Sequence, residues 1–299
     1  MTIFKGLEEI VQRDFPLGKM TTFQVGGPAE YFIRPRSEGA LRDVLARCAK
    51  AGLEVRAIGR GSNLLVKDEG VKGAVIQLDE EAFGRIVFEE DLLRAGAAAP
   101  LRKVVAAAAR QGLSGVECLV GIPGTVGGAV RMNAGGAFGD IGQTVERVNV
   151  MSADGQMFHR EREDLAFGYR TSNISARFVL EVELRLMPDG VKAIEDRIKK
   201  IWIIKKNTQP MSAASAGCAF KNPRGLAAGL LIDQAGLKGF RIGGAAVSRK
   251  HANYIIVKDP EHAKAADVEA LIDHVRKVVK ERSDVYLELE VEIWPCPLN

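Results

Sequence analysis

The spacing of apolar residues predicts alternating helices and strands in the first part of the chain. Residues 37–52 place apolar side chains at helical intervals, with Ser37 as a candidate N-cap and Gly52 at the end. The next segment, EVRAIG, is typical of a buried strand. Three short strands, AVIQL, RIVFE and LLRAG, lead to a second helix with Pro100 in its first turn and Gly112 at its end. This alternation indicates an α/β start.

The middle of the chain is rich in strands, and the last third mixes helices with strands. Between 145 and 187 the alternating stretches are longer, and Asp154-Gly155 is a hairpin signal between two of them. A helix at about 190–206 leads to NTQP, a turn signal that predicts a domain boundary near residue 207. Beyond it we predict a helix in GLAAGLLIDQAG, a strand in ANYIIVKD and an amphipathic helix in AKAADVEALIDHVRKVVKERS.

The last pattern, VYLELEVEIWP, alternates apolar and acidic residues as an extended strand would. It places Glu288, Glu290 and Glu292 on one side of that strand. Solvent exposure is the simplest explanation for three such glutamates, and a role in a site requires that one of them faces a cleft.

Composition indicates a folded protein and restricts its partners only weakly. Apolar residues make up 46% of the 299 residues and charged residues 27%, close to the averages of globular proteins. The net charge of +4 is too small to argue for a nucleic-acid partner. No apolar run approaches the roughly 18 residues of a membrane span, and the first residues lack a signal-peptide pattern. We therefore expect a cytoplasmic protein without a membrane partner.

The cysteines and histidines are too dispersed to predict a disulfide framework, a metal site or a catalytic triad. No CxxC pair occurs, and no histidine stands at ligand spacing from a cysteine. Cys48 falls on the apolar stripe of the first predicted helix, which favours core packing. The cysteines are Cys48, Cys118, Cys218 and Cys296.

Two glycine-rich segments favour a bound nucleotide. The first, GRGSNLLV, fails as a dinucleotide fingerprint because Leu64 stands where a third glycine is needed and a strand pattern follows. The second, GIPGTVGGAVRMNAGG, holds six glycines in 16 residues. Backbone N–H groups approach a phosphate most closely where side chains are missing. Tight turns are the alternative explanation, but two such loops in one chain favour a single large nucleotide.

These two loops resemble the FAD-binding loops of the UDP-N-acetylenolpyruvoylglucosamine reductase (MurB) family. FGYRTSNI, SAGCAFKNP, AGLKGFRIGGAAVSRKHANYII and LELEVEIW are similar to the remaining motifs of that family, in the same order, so the resemblance covers nearly the whole chain. The segment between Tyr169 and residue 188 leaves no room for the substrate-covering insertion of the longer subtype, so the chain resembles the compact form.

The resemblance implies an α+β (mixed α/β) fold. It consists of a two-lobed FAD-binding domain of the vanillyl-alcohol-oxidase/PCMH type and a C-terminal α/β substrate-binding domain. We place the lobes at 1–67 and 68–206 and the substrate domain at 207–299, with the option that the last strand returns to the first lobe. Non-covalent FAD, NADPH as reductant and a UDP-sugar enolpyruvyl ether as substrate are implied. We expect a monomer.

The implied reaction is the reduction of UDP-N-acetylglucosamine enolpyruvate to UDP-N-acetylmuramate in peptidoglycan precursor synthesis. Hydride adds to the terminal vinyl carbon, charge develops on the neighbouring carbon and its carboxylate, and that carbon needs a proton. By motif, Arg170 matches the arginine that contacts the carboxylate, and Glu290 matches the carboxylate partner of the intermediate. Cys218 stands where the family usually has the proton-donating serine, and a thiol, with a reference pKa of about 8.5, is also a donor at neutral pH.

The resemblance also assigns binding residues. The positions that match substrate-binding residues are Tyr169, Lys206, Asn222, Lys238 and Asn253. The positions that match FAD-binding residues are Gly59, Gly61, Ser62, Asn63, Gly121, Ile122, Pro123, Gly124, Gly127, Gly128 and Asn133. Besides Cys218, the chain departs from the usual pattern at Leu289, where proline is usual, and at Arg131, where tyrosine is often found.

Two other functions remain open at this point. One is an oxidase or dehydrogenase on the same cofactor fold. Many such enzymes attach the flavin to a histidine or cysteine, but GRGSN contains neither, and Cys118 is the only nearby candidate. The other is a non-catalytic nucleotide-binding module, which would keep the glycine loops without needing Arg170 and Glu290. A purified protein without a yellow chromophore would exclude a flavoenzyme.

Overall fold

The computed structural model describes residues 3–295, and the chain divides by its contacts into two compact units, each built from three separate segments. Cys296 lies outside the described residues. The first unit consists of Met1–Arg13, Tyr31–Gly59 and Gly73–Ile204. The second consists of Asp14–Glu30, Arg60–Lys72 and Lys205–Asn299. The two cofactor lobes and the substrate domain expected from the sequence remain predictions.

Helices and strands alternate along most of the described chain. The helices are α1 (Leu17–Met20), α2 (Glu38–Lys50), α3 (Glu80–Phe83), α4 (Leu101–Arg110), α5 (Val126–Arg131), α6 (Val191–Thr208), α7 (Ala228–Gln234) and α8 (Ala265–Ser283). The strands are β1 (Val11–Phe15), β2 (Ala29–Ile33), β3 (Val55–Ala57), β4 (Leu64–Val66), β5 (Val71–Ile76), β6 (Ile86–Glu89), β7 (Leu92–Gly96), β8 (Leu113–Ser114), β9 (Gly135–Gly136), β10 (Gly139–Asp140), β11 (Val145–Met151), β12 (Met157–Glu161), β13 (Phe167–Gly168), β14 (Thr171–Ser172), β15 (Phe178–Arg185), β16 (Met187–Pro188), β17 (Arg241–Ile242), β18 (Ala245–Val247), β19 (Ile255–Val257) and β20 (Glu292–Trp294).

A five-stranded antiparallel sheet of order β12-β11-β15-β7-β6 forms one core of the first unit. Asp154-Gly155 connects β11 to β12, which confirms the predicted hairpin. Helix α4 packs its apolar side against the same core and begins at Leu101, so the predicted helix is present but Pro100 is its N-cap residue and not part of its first turn.

The helix α2 and a four-stranded sheet of order β1-β2-β5-β3 contribute to a second core in this unit. The Ser37 side chain accepts a hydrogen bond of 3.1 Å from the Ala40 N–H, so the predicted N-cap is confirmed. Cys48 is completely buried in this core, as predicted, and burial raises its pKa to about 11.

The core of the second unit forms around α8, whose predicted apolar face is buried except for the half-buried Val278. An antiparallel sheet of order β17-β18-β19 packs on it. The last strand, β20, pairs in parallel with β4, with Glu292 opposite Leu64. Segments far apart in sequence therefore complete this unit.

Some elements are shorter than their patterns predict. The prediction of one long terminal strand is wrong. Only β20 is a strand there, and Leu289 makes an isolated bridge with Phe220. The chain changes partner between these points, from the 218–220 segment to β4, and the ladder is interrupted. No helix within residues 3–295 has both the length and the apolar character needed to cross a membrane.

Candidate functional site

The second glycine loop contains a short helix that the sequence analysis did not predict. Helix α5 runs through Gly127 and Gly128, although glycine is a poor helix former. The helix is stabilised by the apolar side chains that it buries, those of Val126, Ala129 and Val130. This burial fixes the backbone of the loop on the core of the first unit.

The glycines of this region have two different uses. A Cβ on Gly127 would lie 2.9 Å from Ala97 Cβ, and one on Gly59 would lie 2.8 Å from Thr125 Oγ1, so the packing of the chain itself requires both glycines. A Cβ on the exposed Gly128 would meet nothing nearer than Thr125 Oγ1 at 3.6 Å. The Gly128 N–H also has no acceptor within residues 3–295. Gly128 therefore presents open backbone that fits an FAD pyrophosphate.

The other predicted FAD-binding residues occupy varied positions on the two loops. Gly121 and Gly61 have φ angles of +79° and +60°, which glycine adopts without steric cost. Gly61 and Ser62 belong to the second unit, whereas Gly121 belongs to the first. The remaining loop residues are the half-buried Ile122 and Gly124 and the exposed Pro123. Their contacts with FAD stay predictions.

Asn133 connects the second glycine loop to the hairpin that carries Arg170. Its side chain is buried, with Nδ2 donating to the Gly168 carbonyl at 3.0 Å and Oδ1 accepting from the Gly142 N–H at 3.0 Å. Both ends of the amide are therefore used within the protein. A direct contact between Asn133 and FAD stays a prediction that this geometry does not favour.

Tyr169 and Arg170 form the turn of the hairpin between β13 and β14. Arg170 has a φ angle of +56°, which is uncommon for a residue with a Cβ. Its Nη1 donates to the Gly135 carbonyl at 3.0 Å, and its guanidinium carbon lies 5.3 Å from the centroid of the exposed Tyr169 ring. These contacts orient a half-buried guanidinium, a group with a donor geometry that matches a carboxylate.

Arg131, which departs from the usual family pattern, holds the second strand of this hairpin and the residues that follow it. Its guanidinium donates to the carbonyls of Ile174, at 3.1 Å, and Ala176. Its own carbonyl accepts a hydrogen bond of 2.9 Å from Ser172 Oγ. The structure therefore gives Arg131 a structural use that the sequence did not reveal.

In the second unit, Cys218 lies on a segment that is bonded along both edges. Cys218 stands opposite Tyr254 in an antiparallel bridge. The N–H of Ala219 donates to the Asn253 carbonyl at 2.8 Å, and the Ala219 carbonyl accepts from the Glu290 N–H at 2.9 Å. The Cys218 thiol is half-buried and is not part of a disulfide. The backbone of Ala219, the residue directly after Cys218, is therefore bonded to both Asn253 and Glu290.

Glu290 is also connected to the first glycine loop. Asn63 Nδ2 donates to the Glu290 carbonyl at 2.9 Å, and the Asn63 carbonyl accepts from the Glu292 N–H at 3.0 Å. Glu290 is half-buried, whereas Glu288 and Glu292 are exposed. Of the three glutamates predicted to share one face, Glu290 is thus the one partly withdrawn from solvent.

Asn253 uses its side chain on backbone in the same unit. Its Oδ1 accepts from the Phe220 N–H at 3.0 Å, and its Nδ2 donates to the Phe220 carbonyl at 2.8 Å. Its own N–H donates to His251 Nδ1 at 3.2 Å. Burial lowers the pKa of His251, and the charge of Lys238 lowers it further, which favours the neutral ring with an acceptor nitrogen. The predicted phosphate contact of Asn253 stays a prediction that this geometry does not favour.

The other predicted substrate-binding residues are exposed on the second unit. They are Lys206, Asn222 and Lys238. Lys238 Nζ pairs with Asp233 at 2.6 Å, and Asn222 Oδ1 accepts from the Ala228 N–H at 3.0 Å at the start of α7. Their roles in binding a diphosphate stay predictions.

Ser215 is a polar residue near Cys218 that the sequence analysis did not single out. Its Oγ is buried and has no hydrogen-bond partner within residues 3–295. An unpaired buried hydroxyl costs about 1–3 kcal/mol, so an acceptor on a ligand would satisfy it. No sequence signal separates it from the other serines of SAASAG. Residues 3–295 contain no group of three or more His, Cys, Asp or Glu placed to hold a metal ion.

Comparison with protein families gives two matches along the chain. Residues 29–160 match the sequence model of an FAD binding domain. Residues 209–294 match that of the C-terminal domain of UDP-N-acetylenolpyruvoylglucosamine reductase. The first match confirms the FAD-binding domain of the expected mixed α/β fold.

Individual relatives are similar over almost the whole chain. The UDP-N-acetylenolpyruvoylglucosamine reductase of Moorella thermoacetica is 42% identical, over 97% of this chain and 95% of the relative. That of Bacillus subtilis is 36% identical, over 97% of this chain and 98% of the relative. The crystal structure of UDP-N-acetylenolpyruvylglucosamine reductase (MurB) from Thermus caldophilus superimposes with a TM-score of 0.83 at 40% identity, covering 95% of this chain and 99% of that one.

Proposed function

This chain belongs to the UDP-N-acetylenolpyruvoylglucosamine reductase family, and from that premise we propose that it reduces UDP-N-acetylglucosamine enolpyruvate to UDP-N-acetylmuramate with NADPH and FAD. The two family matches include both the cofactor domain and the C-terminal domain. A nucleotide-binding module without catalysis would not need the second of these. An oxidase would not need the Cys218 motif.

FAD, when bound, supplies the substrate's terminal vinyl carbon with a hydride that it has taken from NADPH. The protein must then orient the enolpyruvyl group, stabilise the charge that develops beside the carboxylate and deliver one proton. Gly128 is the loop residue whose surroundings fit contact with the cofactor.

Arg170 binds the enolpyruvyl carboxylate in this proposal. Its guanidinium is already held by the Gly135 carbonyl and lies beside the Tyr169 ring, so little side-chain freedom is lost on binding. A planar cation can donate two parallel hydrogen bonds to a carboxylate and is stronger there than a lysine. Its charge favours the transition state because negative charge on the carboxylate increases as hydride arrives.

Cys218 donates the proton to the carbon next to the carboxylate. The S–H bond breaks, a C–H bond forms, and the resulting thiolate takes a proton from solvent before the next turnover. Glu290 lies on the neighbouring segment, and its carboxyl group is the partner that stabilises the enolic intermediate. The observation that carries the proposal is the bonding of Ala219, whose N–H and carbonyl fix the Cys218 segment between Asn253 and Glu290.

We also propose that Lys206 and Lys238 attract the diphosphate of the substrate and that Asn222 contributes a polar contact. Lys238 would exchange part of its interaction with Asp233 for the phosphate. The enzyme would act in the cytoplasm as a monomer, and gel filtration of the FAD-loaded protein tests the second point.

Substitution of Cys218 should affect the two half-reactions, reduction of the flavin by NADPH and its reoxidation by the substrate, differently. We expect Cys218→Ala to leave flavin reduction by NADPH nearly unchanged and to slow reoxidation by the enolpyruvyl nucleotide by roughly 10²-fold or more, the scale of lost general acid catalysis. Cys218→Ser keeps a donor and retains much of the rate. Anaerobic stopped-flow absorbance of the flavin measures both steps.

The control is Cys118→Ala, which removes a buried thiol from the first unit. It is expected to leave the ratio of the two rates unchanged. If Cys218→Ala is reoxidised at the wild-type rate, Cys218 is not the donor. If the nucleotide does not reoxidise the wild-type flavin, the proposed function itself is wrong.

A further inference from the structure

Asn253 is the buried polar residue that binds the Cys218 segment most extensively. It is 3% exposed. Its carbonyl accepts from the Ala219 N–H at 2.8 Å, and its side-chain amide bonds to both the N–H and the carbonyl of Phe220, at 3.0 and 2.8 Å. Three hydrogen bonds therefore connect one residue to two successive residues directly after Cys218.

The same segment is also bonded to the stretch of chain that carries Glu290. The Ala219 carbonyl accepts from the Glu290 N–H at 2.9 Å, and the Lys221 N–H donates to the Glu288 carbonyl at 2.9 Å. Phe220 is 1% exposed and packs in the core of the second unit. A shift of Phe220 would therefore move the Cys218 main chain relative to that of Glu290.

We propose that Asn253 is a positioning residue for the reaction: it sets the placement of the Cys218 thiol relative to the Glu290 carboxylate by clamping the backbone of Phe220. This inference rests on the proposed function, because it assumes that Cys218 donates the proton. Asn253 acts through the Phe220 peptide groups and does not touch the reacting atoms.

The two hydrogen bonds between the Asn253 side chain and the Phe220 backbone, called the clamp below, require the specific chemistry of an asparagine side chain. The amide holds an acceptor oxygen and a donor nitrogen at a fixed separation in one plane. This arrangement matches the N–H and carbonyl of one residue in an extended chain. Leucine has a similar volume but leaves both Phe220 groups without a partner. Ionised aspartate keeps the acceptor but directs a second anionic oxygen at the Phe220 carbonyl, and glutamine adds a methylene to a closely packed site.

The backbone of Asn253 is held in turn by the preceding residues. Its N–H donates to His251 Nδ1, and the Tyr254 N–H donates to the His251 carbonyl at 3.0 Å. A Cβ on Gly229 of α7 would lie 3.3 Å from His251 Cε1 and 3.6 Å from Asn253 Cβ, so α7 closes over this turn. These contacts therefore hold the backbone of Asn253 in place.

A structural measurement tests the clamp independently of catalysis. In Asn253→Leu the amide hydrogen of Phe220 loses its acceptor, so its exchange with solvent deuterium should accelerate relative to the wild type. The same exchange should stay slow in Val275→Ala, a control that removes buried methyl groups from α8 in the same core. Exchange of the Phe220 amide is resolved by NMR or by mass spectrometry of the peptide that contains it.

Half-reaction kinetics test the consequence for catalysis. For Asn253→Leu we expect FAD content and flavin reduction by NADPH to match the wild type, and the KM for the nucleotide to change little. Reoxidation of the flavin by the nucleotide should fall by roughly 10²-fold, the loss that a misplacement of about 1 Å causes in catalytic geometry. Val275→Ala loses stability without this selective loss of the second step.

Asn253→Asp supplies a rescue that a merely structural role would not show. When the new carboxyl is protonated it can donate O–H to the Phe220 carbonyl and accept from the Phe220 N–H, as the amide does. The rate of reoxidation relative to the wild type should therefore rise as the pH falls from about 8 towards 6, because burial raises the pKa of a carboxyl. The titratable and charged groups around the clamp are His251, Tyr254, Cys218, Glu290 and Lys238, which the wild type shares, so the ratio to the wild type isolates the effect of the new carboxyl.

The outcomes separate the inference from the proposed function. If Asn253→Leu and Asn253→Asp are reoxidised as fast as the wild type, Asn253 is not a positioning residue, although the function stands. A loss of both half-reactions in equal measure, without recovery of Asn253→Asp at low pH, also overturns it. If the nucleotide fails to reoxidise wild-type flavin, the proposed function is wrong. Faster exchange of the Phe220 amide in Asn253→Leu would still show that Asn253 holds the Phe220 backbone.

Discussion

Arg170 and Asn133 both adopt backbone conformations that a Cβ disfavours, with φ angles of +56° and +44°. Such strain persists only where the surroundings enforce it, and it is concentrated at functional sites. Here the surroundings are specific: the Asn133 amide holds Gly168, and the Gly135 carbonyl holds the Arg170 guanidinium. The strained turn thus presents the cation at a defined place on the first unit.

Two substitutions of Arg170 separate strain from function. Both Arg170→Ala and Arg170→Gly remove the guanidinium, so both should abolish turnover. Arg170→Gly should be more stable than Arg170→Ala by about 1 kcal/mol, because only glycine adopts a positive φ without a clash of its Cβ. Chemical denaturation of the two variants measures the difference. Equal stabilities would mean that the turn is not strained in solution.

The sequence nominated three asparagines for the site but did not predict which partners their side chains bind. The motifs that contain Asn63, Asn133 and Asn253 do not reveal whether each amide faces a ligand or the backbone, since the same donors and acceptors serve both. In the structure all three amides bind backbone groups of the protein. Only the partner, which comes from a distant segment, decides the role.

Among the secondary-structure elements, α6 is connected to the turn after β8 by a buried carboxylate. Glu117 Oε1 accepts from Arg197 Nε at 3.0 Å, and Oε2 accepts from the Gly115 N–H at 2.7 Å. Burial alone would raise the pKa of Glu117, but hydrogen bonds from Gly115, from its own N–H, from Arg197 and from Ser114 hold that pKa below its usual value. The pair fixes α6 along the first unit.

The contribution of Glu117 to stability should depend on pH with a defined sign. Because its pKa is lower in the folded state, its contribution is complete above the unfolded pKa of about 4.3 and is lost as the pH falls through the folded value. Glu117→Gln should therefore lower the free energy of unfolding at pH 7 by about 2 kcal/mol, the scale of hydrogen bonds to a charged group. The difference from the wild type should shrink below pH ~4.

Urea denaturation at several pH values measures this difference. Asp196→Asn is the matched control, because Asp196 pairs with Lys192 on the exposed side of the same helix. It should change stability little at any pH. A Glu117→Gln difference that stays constant from neutral to acid pH would contradict the assignment.

The elements that the sequence misjudged are those fixed by tertiary contacts. Two glycines argued against a helix at α5, but burial of its apolar side chains outweighs their low propensity. Alternation predicted one strand from Val285 onwards, yet the chain exchanges Phe220 for β4 as its partner. Local patterns predicted α2, α4 and α8 well because their apolar periodicity coincides with the buried face.

For the whole molecule, binding of FAD should raise the free energy of unfolding. At a concentration about 100 times its Kd, FAD adds ~2.7 kcal/mol to the free energy of unfolding of the stripped protein. Gly128→Ala should stabilise the stripped protein by up to about 1 kcal/mol, because alanine is the better helix former, and should reduce the gain from FAD, because the methyl group enters the open backbone surface.

Thermal unfolding with and without FAD measures both effects. Gly136→Ala is the control, since a Cβ there meets nothing within 4 Å and the residue is outside the predicted cofactor set. It should leave the gain from FAD unchanged. An undiminished gain in Gly128→Ala would remove Gly128 from the FAD site.

The mixed α/β fold and its FAD-binding domain were predictable, whereas the division into contact units was not. The turn signal NTQP predicted a boundary near 207, and the family resemblance placed lobes at 1–67 and 68–206, with the option that the last strand returns to the first lobe; these bounds stay predictions. In the structure, the short segments 14–30 and 60–72 belong to the same compact unit as the C-terminal part. Pairing between distant segments leaves no local signal, so no reading of periodicity could have identified it.

The parallel pairing of β20 with β4 has a consequence for biosynthesis. Residues 64–66 leave the ribosome long before 292–294 exist, so during most of translation the earlier strand lacks this partner. The first unit has all of its segments once residue 204 has emerged. The second unit lacks its last strand until synthesis is nearly finished. A ribosome that stalls shortly before residue 290 would therefore hold a chain in which β4 lacks its partner strand, an exposed edge that favours aggregation, and in which Glu290 is missing.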